Sequence, residues 1–410
     1  MMKTKIVALA LFLCTAAVVA LFPATRNVGA VAPLTVPPVD PPANAPARVE
    51  VPRIEVPKIE VVFVLDTTGS MGGLIQAAKE KIWSIATTMA QAEPAPEIKM
   101  GLVAYRDRGD AYVTRVVDLS ADLDSMYATL MDFEASGGGD GAESVNQALY
   151  EAVHKVSWSQ DPKAYKVVFL VGDAPPHMDY ADDVEYPETA VAAKEKGIVI
   201  NTVQCGQNSA TTGQWQRIAA LGDGRYLQVE QAGSAVAIAT PFDEELARLS
   251  AKLDDTRLYY GSQEERAKKQ AKIEATDKLL ANSSVSSRAR RAAFNVSKSG
   301  EPNLLGESEL VDDVASGRVD LSGIDRDELP EPMQAMAPKE QEAMITEMAD
   351  RRNEVQGQIK ELAEKRSSYL KREIEAQGGA KDSLDQKLYD AVREQAGKAG
   401  LEYKAAAPAY

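Results

Sequence analysis

Cysteine and histidine are nearly missing from this chain. Among 410 residues there are two cysteines, Cys14 and Cys205, and two histidines, His154 and His177. A histidine-rich zinc site and a triad built on several histidines are therefore unlikely architectures. Positive charge is also short, with 46 Lys and Arg against 61 Asp and Glu, a formal net charge of −15. Nucleic-acid binding needs clustered cations to displace counterions, so no nucleic-acid partner is expected. Aromatics make up only 6%, yet 45% of the chain is hydrophobic and 26% charged, which is an ordinary globular balance. At roughly 100–200 residues per domain, the length suggests two domains with appendages.

One long hydrophobic run stands at the N-terminus. Lys3 and Lys5 precede a nearly unbroken apolar stretch from Ile6 to Phe22, followed by small residues with Ala24 and Ala30 as cleavage points. Residues 1–30 thus read as a secretory signal peptide. The alternative is an uncleaved anchor, since the stretch approaches the lower limit of a membrane span, about 17 residues. Cys14 suggests lipidation, but the bulky Leu13 before it disfavours that. Residues 1–30 hold three cations and no acid, so their removal takes the net charge from −15 to −18. It also leaves Cys205 as the one thiol, so no internal disulfide is expected in the exported, periplasmic or envelope setting. Residues 31–58 carry prolines every few positions and read as a semi-rigid polyproline-type linker.

From Ile59 to Asp255, runs of β-branched and apolar residues alternate with helical patterns. Strands are predicted at Val61–Asp66, Lys99–Arg106, Tyr112–Asp118, Lys166–Asp173, Ile198–Gln204 and Arg225–Val229. Helices are predicted at Gly73–Ala90, Asp122–Phe133, Ser144–Val156, Tyr186–Lys196, Thr212–Leu221 and Ala235–Leu253. VVFVLD and KVVFLVGD have no polar alternation, as parallel strands covered on both faces require. The fold class is α/β, a doubly wound and mostly parallel sheet, with a separate helical region at residues 256–410. That region should hold a helix over 262–290, a long one over Lys339–Gln377 and a last one over Ser383–Ala399. In the long helix, Met348, Val355, Leu362 and Tyr369 alternate in a heptad with Ile345, Arg352, Ile359 and Arg366. Two arginines in the seam weaken a coiled coil, so self-association and packing within the chain are both open.

Asp66 and Asp173 both fall at predicted carboxyl ends of strands, where such sheets bind ligands. After Asp66, Thr68 and Ser70 alternate. One carboxylate and two hydroxyls are hard oxygen donors suited to Mg²⁺ or Mn²⁺. Two buried carboxylates at about 4 Å would repel by about 4 kcal/mol at an effective dielectric of 20, and a divalent cation removes that cost.

VVFVLDTTGSM, YRDRGD, SGGGDGAES and VGDAPPH together resemble the von Willebrand factor type A domain, over residues 59–255. The resemblance implies a metal-ion-dependent adhesion site with the pattern Asp-x-Ser/Thr-x-Ser, here Asp66, Thr68 and Ser70, with Asp173 from a later strand end. The family usually adds a threonine from another loop. This chain has Asp140 there, either a ligand itself or a cap for the next helix. Gly69, Met71, Glu143 and His177 stand where they could contact a ligand. The implied function is capture of a partner protein through a carboxylate that completes the metal's shell. The residues after 256 also resemble helical extensions found behind such domains in exported bacterial proteins.

Other readings fare worse. A phosphatase of the haloacid dehalogenase type needs a second Asp where Thr68 stands. No Gly-Lys-Ser/Thr follows the first strand, and Gly69, Gly72 and Gly73 lack dinucleotide spacing. Arg108-Gly109-Asp110 spells an adhesion tripeptide but falls in a predicted turn. A purely structural role, with the metal as a folding staple and the helical tail mediating assembly, is the main alternative.

Overall fold

Strand β1, Lys58–Asp66, is the third strand of a six-stranded sheet ordered β3-β2-β1-β4-β5-β6 in a computed structural model. The structure describes residues 56–410 except 140, 232–237, 406 and 410. The signal segment and most of the proline-rich linker therefore lie outside the described residues. β1 pairs in parallel with β2 (Glu97–Tyr105) and β4 (Tyr165–Gly172), and β4 with β5 (Ile198–Cys205). β6 (Asp223–Val229) is parallel to β5, and β3 (Thr114–Ser120) is an antiparallel edge.

Alternation along β1 divides the core. Ile59, Val61, Phe63 and Leu65 face α1 (Gly72–Met89) and α2 (Leu123–Leu130). Val62 and Val64 face α3 (Val145–His154), α4 (Tyr186–Glu195) and α5 (Ser209–Leu221). Both faces are covered, which is why the strand reads as one apolar run. The six strands and these helices agree with the sequence reading to within a few residues.

The predicted start of the next helix, at Ala235, lies outside the described residues, and that helix, α6, is Asp243–Asp254. Pro241 lies just before it, and Asp243 accepts from the Thr240 amide (2.9 Å) and hydroxyl (2.8 Å). The predicted 262–290 helix is two, α7 (Gln263–Asn282) and α8 (Val285–Asn295). The break is at Ser284, whose hydroxyl caps α8 by accepting from the Ser287 amide. Short helices α9 (Glu301–Leu305), α10 (Leu310–Ala315) and α11 (Glu331–Gln334) precede the 39-residue α12, Pro338–Ala376, and the last helix, α13, Leu384–Gly397. Among the described residues, no helix is long and apolar enough to cross a membrane.

The helical region packs on the sheet, and the described residues form one compact unit. Leu384, Leu388, Tyr389 and Val392 of α13 join the core beneath α1. Gln395 accepts from Tyr165 (2.7 Å) and Asn201 (3.0 Å) and donates back to Asn201 (2.8 Å), which satisfies the polar residue in the buried β5. Arg291 is wholly enclosed between Asp124 of α2 and Asp254 of α6, with N···O distances of 2.6 and 2.7 Å. The seam arginines of α12 have partners within the chain: Arg352 grips Glu309 (2.9 Å) and Arg366 meets Asp243 (2.7 Å). Ile345, Val355 and Ile359 of that seam are buried against the same chain.

Breaking such a buried pair from one side costs about 3–5 kcal/mol, so Arg291→Met should lower unfolding free energy by that amount in urea. Burial alone would raise the Asp124 carboxyl, but the Arg291 charge and hydrogen bonds outweigh it and hold it below the usual carboxylate range. This stabilisation is full above about pH 4 and drains as pH falls further, so Arg291→Met should also flatten the acid limb of the stability curve.

Candidate metal centre

β1 leaves its neighbours at Asp66, which lies opposite Tyr105 of β2 and next to Gly172 of β4. A Cβ on Gly172 would stand 2.5 Å from the Tyr105 hydroxyl and 3.0 Å from the Asp66 Cβ, so only glycine admits these side chains. Asp66 is fully buried. Its Oδ1 accepts from the Thr68 amide (2.8 Å) and hydroxyl (2.6 Å). Its Oδ2 has no hydrogen-bond partner among the described residues, and neither does the Tyr105 hydroxyl. Ser70 stands exposed, with its Oγ 3.4 Å from the Thr68 Oγ1. Asp173 follows β4 directly, and its Oδ2 accepts from Gln231 Nε2 at 2.6 Å.

Burial pushes the Asp66 carboxyl up to about 7, against the Thr68 hydrogen bonds that lower it and with the Asp173 charge adding to the rise. Burial also raises the Tyr105 hydroxyl and the Cys205 thiol, with Asp66 and Asp173 contributing to both. The strand tips therefore form a dry, electronegative pocket, and Cys205 is held as an unreactive thiol.

The surrounding loops are tied together by residues that the sequence presented only as a strand and a turn. Arg106 donates to the Thr67 carbonyl (3.1 Å) and the Glu134 carbonyl (2.7 Å), joining the first loop to the glycine loop. Asp110 accepts from the Asp107 amide (3.2 Å) and the Gly138 amide (3.0 Å). Gly137, at φ +81°, places the Asp110 carboxylate where a Cβ would be, so the glycine run is required here. Arg108 pairs with Asp182 (2.8 Å) and Asp183 (2.6 Å), so both charges of the Arg-Gly-Asp tripeptide are engaged within the chain.

Of the residues predicted to meet a ligand, Gly69 is exposed and its amide donates to the Gly137 carbonyl (3.1 Å). Met71 turns inward as a fully buried part of the core, away from any ligand, because the turn at 69–71 starts α1 and points its side chain at the sheet. Glu143 is buried, its amide on the Pro175 carbonyl and its carbonyl taking the His177 amide. His177 is buried in a stack with Tyr180 at 4.1 Å, its Nδ1 2.8 Å from Asp179 and its Nε2 3.4 Å from Asp107, which makes it a scaffold of the loop after β4. Asp140 lies outside the described residues. Gln231, absent from the sequence reading, had no signal there, because it reaches Asp173 across 58 positions.

Among the described residues, no three His, Cys, Asp or Glu side chains gather as a metal site. The donors here are two carboxylates and two hydroxyls, and the buried Oδ2 of Asp66 without a partner fits a hard cation. In metal-free protein that carboxylate is destabilising. Its folded pKa lies above the unfolded value, so the cost is absent below about pH 4 and grows to about 4 kcal/mol as pH rises past 7. In EDTA, Asp66→Asn should therefore be more stable than wild type at pH 8 and nearly equal to it at pH 4, as read by urea unfolding.

Residues 60–241 match the family model of the von Willebrand factor A domain. An 87-residue stretch is 39% identical to von Willebrand factor A domain-containing protein 7 of Rattus norvegicus, covering 21% of this chain and 9% of that one. A 117-residue stretch is 27% identical to an ariadne-like RING finger protein of Acanthamoeba polyphaga mimivirus, covering 28% and 11%. The chain thus spans about a tenth of the length of these curated relatives. Similar solved structures include the VWA domain of SpRpn10, at 14% identity and TM-score 0.34, covering 43% of this chain and 89% of that one. Another is proximal thread matrix protein 1 of the mussel byssus, with a zinc-occupied MIDAS motif, at 16% identity and TM-score 0.34, covering 42% of each.

Proposed function

We propose that the von Willebrand factor A domain carried by residues 60–241 works as a divalent-cation-dependent, non-enzymatic protein-binding module of the cell envelope. Domains of this family are protein-interaction modules. The observation that carries the reading is the Asp66 Oδ2, buried without a partner beside the Thr68 and Ser70 hydroxyls. Asp66, Thr68, Ser70 and Asp173 would hold Mg²⁺ or Mn²⁺, with Asp140 of the glycine loop as a further donor. A bound ion supplies the positive charge that offsets the Asp66–Asp173 repulsion and an open position for a carboxylate oxygen of the partner.

The chain's own residues do the rest. Thr68 orients the Asp66 carboxylate through its amide and hydroxyl, and Gln231 orients that of Asp173. Arg106 keeps the first loop and the glycine loop in register. Acidic residues crowd the loops at this sheet edge, among them Glu134, Asp179 and Glu185. A partner's anchoring carboxylate would therefore sit within neutral or basic surroundings, and association would slow as salt rises. Export rests on the reading of residues 1–30, and the spacer on residues 31–58. No nucleophile–base pair is proposed.

Immobilised protein should retain a partner from envelope extract in Mg²⁺ and release it in EDTA. Asp66→Ala and Ser70→Ala should abolish that capture without lowering the melting temperature in EDTA. Capture that persists in both variants would mean that the ion serves only the fold.

A further inference from the structure

Far from the strand tips, a cleft of about 520 Å³ opens between α7, the segment before it and α11. Its size falls in the range of small-molecule sites. Arg257, Arg266 and Lys269 line it against a single carboxylate, the exposed Glu331. In a chain with a net charge of −15 this local excess of cations is unusual.

Two of the three cations, Arg266 and Lys269, have no carboxylate partner among the described residues. Lys268, next to the cleft-lining lysine, pairs with Glu264 at 3.0 Å on another face of the helix. Lys269 makes no ion pair among the described residues and sits 6.0 Å over the Tyr259 ring. Arg266, three residues earlier on the same helix face, also has no carboxylate partner. It donates to the Asp327 and Leu329 carbonyls, the latter at 3.2 Å, and so is held in place with its charge intact. Arg257 is buried at the base, 3.4 Å from an Asp254 carboxylate that Arg291 holds at 2.7 Å. Pro330, Pro332 and Leu258 supply apolar walls.

We infer that this cleft binds a small organic phosphate, with its anionic group between Arg266 and Lys269 and its body along the Tyr259 and proline wall. A guanidinium and an ammonium on one helix face suit a dianion, and charge-assisted hydrogen bonds there are strong. The body is a base or a sugar, and the probes distinguish the two.

The test is calorimetric titration of the full chain in EDTA, which keeps the strand-tip site out of the readout. AMP, glucose 6-phosphate and inorganic phosphate are compared with adenosine and glucose. At least one ester should bind with Kd below about 1 mM, with no binding of its uncharged counterpart. Lys269→Glu should weaken that ester at least about tenfold. It leaves the Arg266 clamp in place, so its melting temperature should match wild type. Failure of both esters to bind by about 10 mM, equal binding by Lys269→Glu, or inorganic phosphate binding as tightly as the esters would each overturn the assignment.

Discussion

The strand β1 is covered on both faces, and most of the molecule follows from that. A parallel strand in the interior of a sheet must have helices above and below it, so Val61, Phe63 and Leu65 fill one core and Val62 and Val64 another. The strand can meet solvent only at its end, and there the chain places Asp66. Because the neighbours at that level are Tyr105 and Gly172, the carboxylate stays enclosed instead of reaching water. Enclosure without a partner for Oδ2 makes the charged form costly, and the cost becomes a preference for a cation. Burial of the strand, the raised Asp66 carboxyl and the suitability of the tip for a cation under the proposed function are therefore consequences of one constraint.

The helical region meets a second requirement of the same sheet. Helices α1 and α2 cover only part of one face; α13 covers the part over β4 and β5 with Leu388, Tyr389 and Val392, and α8 packs Phe294 on Trp83 at the outer side of α1. Ion pairs between the layers hold the register. Arg291 joins α2 to α6, and Lys81 joins α1 to Asp385 of α13 at 3.1 Å, its ammonium pulled down to about 8 by burial. Such pairs are costly to break and specific in geometry, so they define one arrangement of apolar helices that could otherwise slide. Because α1 begins directly after the Ser70 turn, the extension is mechanically close to the site although it supplies no donor to it.

Much of this could be read from residue order. Continuous β-branched runs marked the buried strands because periodicity survives in sequence. Boundaries were less legible. The start of α6 follows Pro241 and the contact of the Asp243 carboxylate with Thr240, and the 262–290 helix broke at a serine whose capping role is invisible until its amide partner is placed. In α12, Arg352 and Arg366 looked like flaws in a coiled-coil seam. They are fitted to Glu309 and Asp243, 43 and 123 residues away. Met71 stood inside the metal motif and proved to be core, since its direction is set by the turn and not by its neighbours in the chain.

The sequence by itself determined the alternating architecture, the strand-end position of Asp66 and Asp173, and the hydroxyl pair Thr68 and Ser70. These are local facts, carried by spacing of two or of 3.6 residues. Only the tertiary structure decided how that end is enclosed, through the unpartnered Oδ2, the Gln231 contact to Asp173 and the Arg106 and Asp110 ties between loops, and only it formed the distant cation-lined cleft beside α11. Their contacts join residues tens of positions apart. Their proximity depends on the packing of the whole sheet and its helices, which no short window of sequence records.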